Sequence, residues 1–158
     1  MFRVATFSTW HQASKAAARA SRRCAGTKSI AEGCMPDIVI QPSKPHTATV
    51  LFLHGLGDTG YGWQDAFEAI KHLLPYTKFI LPSAPMQPVT LNMGMTMPSW
   101  FDIRSLNDVV DDPHTGLDDA VGRMHAMLDL ETDEHKIPAS RIVFGGFSQG
   151  GSVALYGG

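Results

Sequence analysis

Gly146-Phe147-Ser148-Gln149-Gly150 is the stretch of this 158-residue sequence that most directly specifies chemistry. It fits the pattern G-x-S-x-G, in which glycines on either side of a serine allow a sharp turn that lifts the hydroxyl clear. A hydroxyl so presented is a nucleophile for acyl transfer, with Ser148 as the attacking residue. Five residues alone are a weak signal, and their surroundings strengthen it. An apolar run, Arg141-Ile142-Val143-Phe144-Gly145, leads straight in, and Gly151-Ser152-Val153-Ala154-Leu155-Tyr156 suits the start of a helix. The predicted unit is strand, strained turn, helix. The helix N-terminus beneath the serine would favour developing negative charge.

A second segment matches this need. His54-Gly55-Leu56-Gly57 follows directly on Thr49-Val50-Leu51-Phe52-Leu53, a run continuous enough to be a strand buried on both faces. An acyl-transfer site needs donors for the oxyanion. In the G-x-S-x-G arrangement one amide follows the nucleophile and another comes from the loop after an earlier strand. The candidates are the backbone N–H groups of Gln149 and Leu56. His54 sits beside that loop, where shaping it is a better-supported role than catalysis.

These segments need a scaffold to hold them. Asp37-Ile38-Val39-Ile40 and Phe79-Ile80-Leu81 are further short apolar runs. Trp63, Phe67, Ile70 and Leu74 fall at helical spacing until Pro75. Leu117, Ala120, Val121, Met124 and Leu128 do the same, with Asp118 and Asp119 in the first turn. Strands alternating with helices predict βαβ units, hence an α/β fold with a mostly parallel sheet and helices on both faces. Between Ser83 and about Thr115 the sequence predicts a long irregular segment holding four prolines.

Three motifs now stand in order: His54 through Gly60, Pro98-Ser99-Trp100-Phe101-Asp102, and Gly145 through Gly151. Together they resemble the acyl-protein thioesterase and lysophospholipase family, a carboxylesterase-type branch of the α/β-hydrolases. The likeness runs from about Ile38 to the last residue. It implies hydrolysis of S-linked fatty acyl groups on proteins, and of lysophospholipid or carboxylic esters, through an acyl-serine. It implies Ser148 as nucleophile, Leu56 and Gln149 as oxyanion donors, no cofactor and no metal. It also makes Ser83–Phe101 part of an acyl channel. Leu91, Met93, Met95, Met97 and Trp100 are the candidate groove residues. Thioethers and an aromatic ring suit a flexible acyl chain, and a small core cluster beneath a long loop would have the same composition.

One part of the pattern is missing. In this fold the base and its orienting carboxylate follow the serine, in the order Ser, Asp or Glu, His. The ten residues after Ser148 contain none of these. His72, His125 and His135 are expected to be solvated, and His114 to pair weakly with Asp111 or Asp112. Asp102 is expected to brace its loop. The expectation is therefore a leader over residues 1–35 and an incomplete, C-terminally truncated domain over 36–158. The strand before Ser148 should then lie at a sheet edge, leaving the chain prone to self-association. A non-catalytic product that binds acylated partners is the alternative reading.

Composition limits the rest. At 44% hydrophobic and 18% charged residues the chain suits a globular domain. No apolar run approaches a membrane span, so at most transient membrane-surface contact is expected. A net charge of -2 offers no broad field for nucleic acid. Residues 1–31 hold six of the 13 Lys and Arg and no acid, which leaves seven bases against all 15 acids beyond them. That leader fits either a mitochondrial transit peptide or a disordered basic tail. Cys24 and Cys34 form no metal or redox motif. As free thiols they suit a cytoplasmic setting, the mitochondrion being the alternative.

Overall fold

The structure, a computed structural model, describes residues 35–107 and 112–158. The basic leader and Asp111 lie outside the described residues. Six strands and three α-helices are described: β1 (Ile38–Ile40), β2 (Ala48–Leu53), α1 (Gly60–Ile70), β3 (Thr77–Leu81), β4 (Met86–Val89), β5 (Met95–Pro98), α2 (Leu117–Asp133), β6 (Ile142–Gly146) and α3 (Gln149–Gly157).

The main sheet has the order β1-β3-β2-β6. β2 pairs in parallel with β3 on one side and with β6 on the other, while β1 runs antiparallel to β3. Side-chain alternation along these strands divides the core between two faces. Val50, Phe52, Phe79 and Leu81 pack with Trp63 and Phe67 of α1. Leu51, Leu53 and Ile80 pack on the opposite face with Ala120, Met124 and Met127 of α2 and Val153 of α3. The unbroken apolar run from Val50 to Leu53 follows from this burial on both sides. β6 lies at the edge of the described sheet, and its Val143 is 59% exposed.

Chain order reverses across β2. The path leaves β2 through α1 to β3 on one side, then returns through α2 to β6 on the other. Neighbouring loops at the carboxyl ends of β2 and β6 therefore diverge at a topological switch point, where open α/β sheets form their ligand crevice. His54–Gly57 leaves one of these strands and Ser148 the other.

Two expectations are corrected. The segment after Ser83 is not wholly irregular, because β4 and β5 form an antiparallel ribbon with Met86 opposite Pro98 and Pro88 opposite Thr96. Each strand of a two-stranded ribbon has one open edge, so a proline there removes no ladder bond. Helix α1 also ends earlier than its apolar spacing predicts. It tightens into a 3-10 turn over Lys71–Leu73 ahead of Pro75, leaving Ile70 and Leu74 more than two-fifths exposed.

Candidate active site

Ser148 stands between the end of β6 and the first turn of α3 with φ 51° and ψ −119°. A non-glycine residue with positive φ is strained by the order of 1–3 kcal/mol and persists only when its surroundings enforce it. Here they do. Phe147 N–H donates to the Leu53 carbonyl at 2.9 Å, tying the turn to β2. A Cβ on Gly146 would lie 2.5 Å from the Gly150 carbonyl group, and one on Gly150 would lie 2.5 Å from Leu53 O and 2.6 Å from His54 O. Only glycine permits this approach of helix to strand. Gly150→Ala is expected to destabilise the fold by about 1–3 kcal/mol through overpacking, read as a lower urea midpoint at unchanged slope.

The loop after β2 lies against this turn, since a Cβ on Gly55 would come within 3.4 Å of Ser148 Cβ. Gly57 N–H donates to Pro98 O at 2.8 Å and Asp58 N–H to Gly55 O at 3.2 Å. Among the described residues, no backbone carbonyl accepts the Leu56 or Gln149 N–H. Both remain available to an oxyanion.

The Gln149 side chain has a role the sequence did not reveal. Buried to 3% exposure, its Nε2 donates to Phe101 O at 2.7 Å and Ser99 Oγ at 3.0 Å, and its Oε1 accepts Trp100 N–H at 3.0 Å. The residue after the nucleophile thus fixes the Pro98–Phe101 strip to the turn. Asp102 braces the same region, its carboxylate accepting the N–H and hydroxyl of Thr90, each at 2.7 Å.

His54 is almost fully buried. Its Nδ1 lies 2.7 Å from Gly55 O, and its Nε2 accepts Ala84 N–H at 2.9 Å. Burial holds its pKa below the ordinary 6.5, outweighing the hydrogen bond to Gly55 O. A histidine kept neutral in the fold stabilises it fully above about pH 6.5. The unfolded chain takes up a proton first as pH falls, so that stability is lost from 6.5 downward. The urea midpoint is expected to be lower at pH 5 than at pH 7, and to recover part of the difference in His54→Asn.

No described histidine hydrogen-bonds Ser148. His72 and His135 are exposed, whereas His125 is not simply solvated, because its Nε2 bonds the Gly157 carbonyl at 2.6 Å. His114 Nδ1 lies 3.5 Å from Asp112.

The five proposed groove residues differ in exposure. Trp100 is a core residue at 2% exposure, its Nε1–H donating to His54 O at 2.8 Å. An indole can be buried in this way once its one donor has a partner. Met93, at the tip of the β4–β5 ribbon, is 95% exposed, and Met95 is 58% exposed. Leu91 and Met97 are half-buried, and the Met97 thioether faces the Gly57 end of the loop after β2. Among the described residues there is no metal-binding group of three His, Cys, Asp or Glu, and no helix is long and apolar enough to cross a membrane.

The family model described as phospholipase/carboxylesterase matches residues 36–158. The chain belongs to that family of α/β-hydrolases. Similar members include acyl-protein thioesterase 1 of Yarrowia lipolytica, 49% identical over 123 residues, which are 76% of this chain and 54% of that protein. The Schizosaccharomyces pombe protein of the same name is 46% identical over 124 residues, covering 77% and 53%. Among solved structures, Zea mays acyl-protein thioesterase 2 superposes with a TM-score of 0.64 at 36% identity, covering 77% of this chain and 49% of that one. Arabidopsis thaliana SOBER1 gives 0.62 at 36%, covering 70% and 53%. The chain spans about half the length of the family members it matches.

Proposed function

We propose that this chain carries the nucleophile half of a serine hydrolase that removes acyl groups, from S-acylated proteins and from lysophospholipid or carboxylic esters. The observation that carries the reading is the strained Ser148, raised at φ 51° between two glycines beside the Leu56 and Gln149 N–H groups, which no backbone carbonyl accepts among the described residues. Ser148 Oγ attacks the acyl carbonyl carbon, and the oxygen's developing charge falls to the two amides. Collapse of the tetrahedral species expels a thiolate or alcohol and leaves an acyl-serine, which water then hydrolyses. The names of the thioesterase relatives favour the protein thioester among these substrates.

Attack needs a base, and none of the ten residues after Ser148 is Asp, Glu or His. The reading therefore assigns turnover to these residues together with a second half like that of the relatives. The test joins this chain at Gly158 to the C-terminal half of the Yarrowia relative and supplies a palmitoyl-cysteine peptide, a lysophospholipid and a fluorophosphonate. Turnover of an acyl substrate and a fluorophosphonate adduct mapped by mass spectrometry to Ser148 are expected. A folded product with no adduct at Ser148 would sink the assignment.

A further inference from the structure

We propose that His54 is the positioning residue of the oxyanion hole: as its Nδ1–H tautomer it latches the Gly55 carbonyl and thereby aims the Leu56 N–H. The inference rests on the serine-hydrolase reading and adds a residue to its machinery.

The tautomer follows from the partners. Ala84 N–H can only donate, so Nε2, 2.9 Å away, must present its lone pair. Gly55 O can only accept, so Nδ1, 2.7 Å away, must carry the proton. Two backbone groups of opposite polarity thus select one neutral form. The ring is held in place as well: it is 1% exposed, its centroid lies 4.9 Å from that of Trp100, and the His54 carbonyl accepts the indole N–H.

The consequence lies in the next peptide. The Gly55–Leu56 bond is trans and planar, so its C=O and N–H point in opposite directions. Fixing the oxygen on the imidazole fixes the Leu56 N–H on the far side. A glycine flanks this peptide, and glycine resists rotation less than any other residue. Without a latch the peptide is free to turn its oxygen where its N–H should be. The 3.2 Å bond from Asp58 N–H is the carbonyl's other restraint, and it is the longer of the two.

Protonation would open the latch by placing a second donor opposite Ala84 N–H. Asp58 favours the charged ring, Arg123 opposes it, and burial opposes it most. The latch is therefore set across the neutral range.

The experiment uses the full chain with 15N-labelled histidine and long-range 1H–15N spectra. His54 is expected to show a protonated Nδ1 and an unprotonated Nε2, unchanged as the pH is lowered from about 8 to about 6.5. An Nε2–H tautomer, or a doubly protonated ring within that range, overturns the proposal. Replacement separates aiming from packing. His54→Asn retains a donor near the Nδ1 position and should keep the Leu56 amide resonance in place, whereas His54→Leu should shift it. A Leu56 resonance unmoved in His54→Leu also overturns the latch. Where a variant fails to fold, the wild-type tautomer still decides. Its readout is independent of labelling at Ser148: a wrong tautomer with labelled serine removes the latch alone.

Discussion

Ser148→Ala is expected to lower turnover in the joined enzyme on the order of 10⁶-fold while leaving its folding stability unchanged. Both halves of this expectation have a structural cause. The hydroxyl is the attacking group, and without it the amides of Leu56 and Gln149 can only polarise a carbonyl toward water. Ser148 is also the residue before α3, a position where a serine commonly caps the helix, yet it makes no side-chain capping bond. Removing Oγ therefore removes no capping bond, and alanine inherits the same backbone strain. Ser148→Gly separates strain from chemistry. Glycine adopts φ 51° without penalty, so this variant should be equally inactive and more stable than Ser148→Ala by about 1 kcal/mol, net of its greater unfolded-state entropy. Urea unfolding of the three proteins measures the difference. An alanine variant that retains substantial turnover, or a glycine variant less stable than alanine, contradicts a strained nucleophile.

The parts of this site that were legible in the sequence are local. Gly146, Ser148 and Gly150 lie within five residues, and the strain they create needs no distant partner to be anticipated. β2 was legible because a central parallel strand is apolar at successive positions, and Leu51 and Leu53 indeed pack opposite Val50 and Phe52. Residues acting across long separations left no periodic trace. Gln149 reaches Ser99, Trp100 and Phe101 from about 50 positions away. Trp100 looks the same in sequence whether it lines a groove or fills a core, and the buried acceptor at His54 O decides for the core. The β4–β5 ribbon was obscured by Pro88 and Pro98, which break an interior strand but not a strand with an open edge. His54 stands between these cases. Its place beside the loop was readable, but its tautomer depends on Ala84, thirty residues on.

Glu131→Ala is expected to destabilise the fold by about 3–5 kcal/mol, although it lies at the opposite end of the sheet from Ser148. Glu131, in the last turns of α2, is 3% exposed and forms an ion pair with Lys78 of β3, itself 7% exposed. Its other oxygen accepts the Thr49 hydroxyl of β2 at 2.7 Å, and His46 Nε2 lies 3.6 Å from the carboxylate. One carboxylate thus joins α2 to the starts of both central strands. Removing it leaves an ammonium ion buried without a counter-charge and takes an acceptor from Thr49, which is the origin of the large effect. The penalty belongs to the unpaired charge rather than to lost contact, and a double variant shows the difference. Lys78→Met with Glu131→Gln removes both charges, keeps an acceptor for Thr49 and preserves volume, so it should regain most of the stability lost in Glu131→Ala. Urea denaturation at pH 7 provides the comparison. Equal losses in the single and double variants would mean that packing, not charge, holds α2 on the sheet.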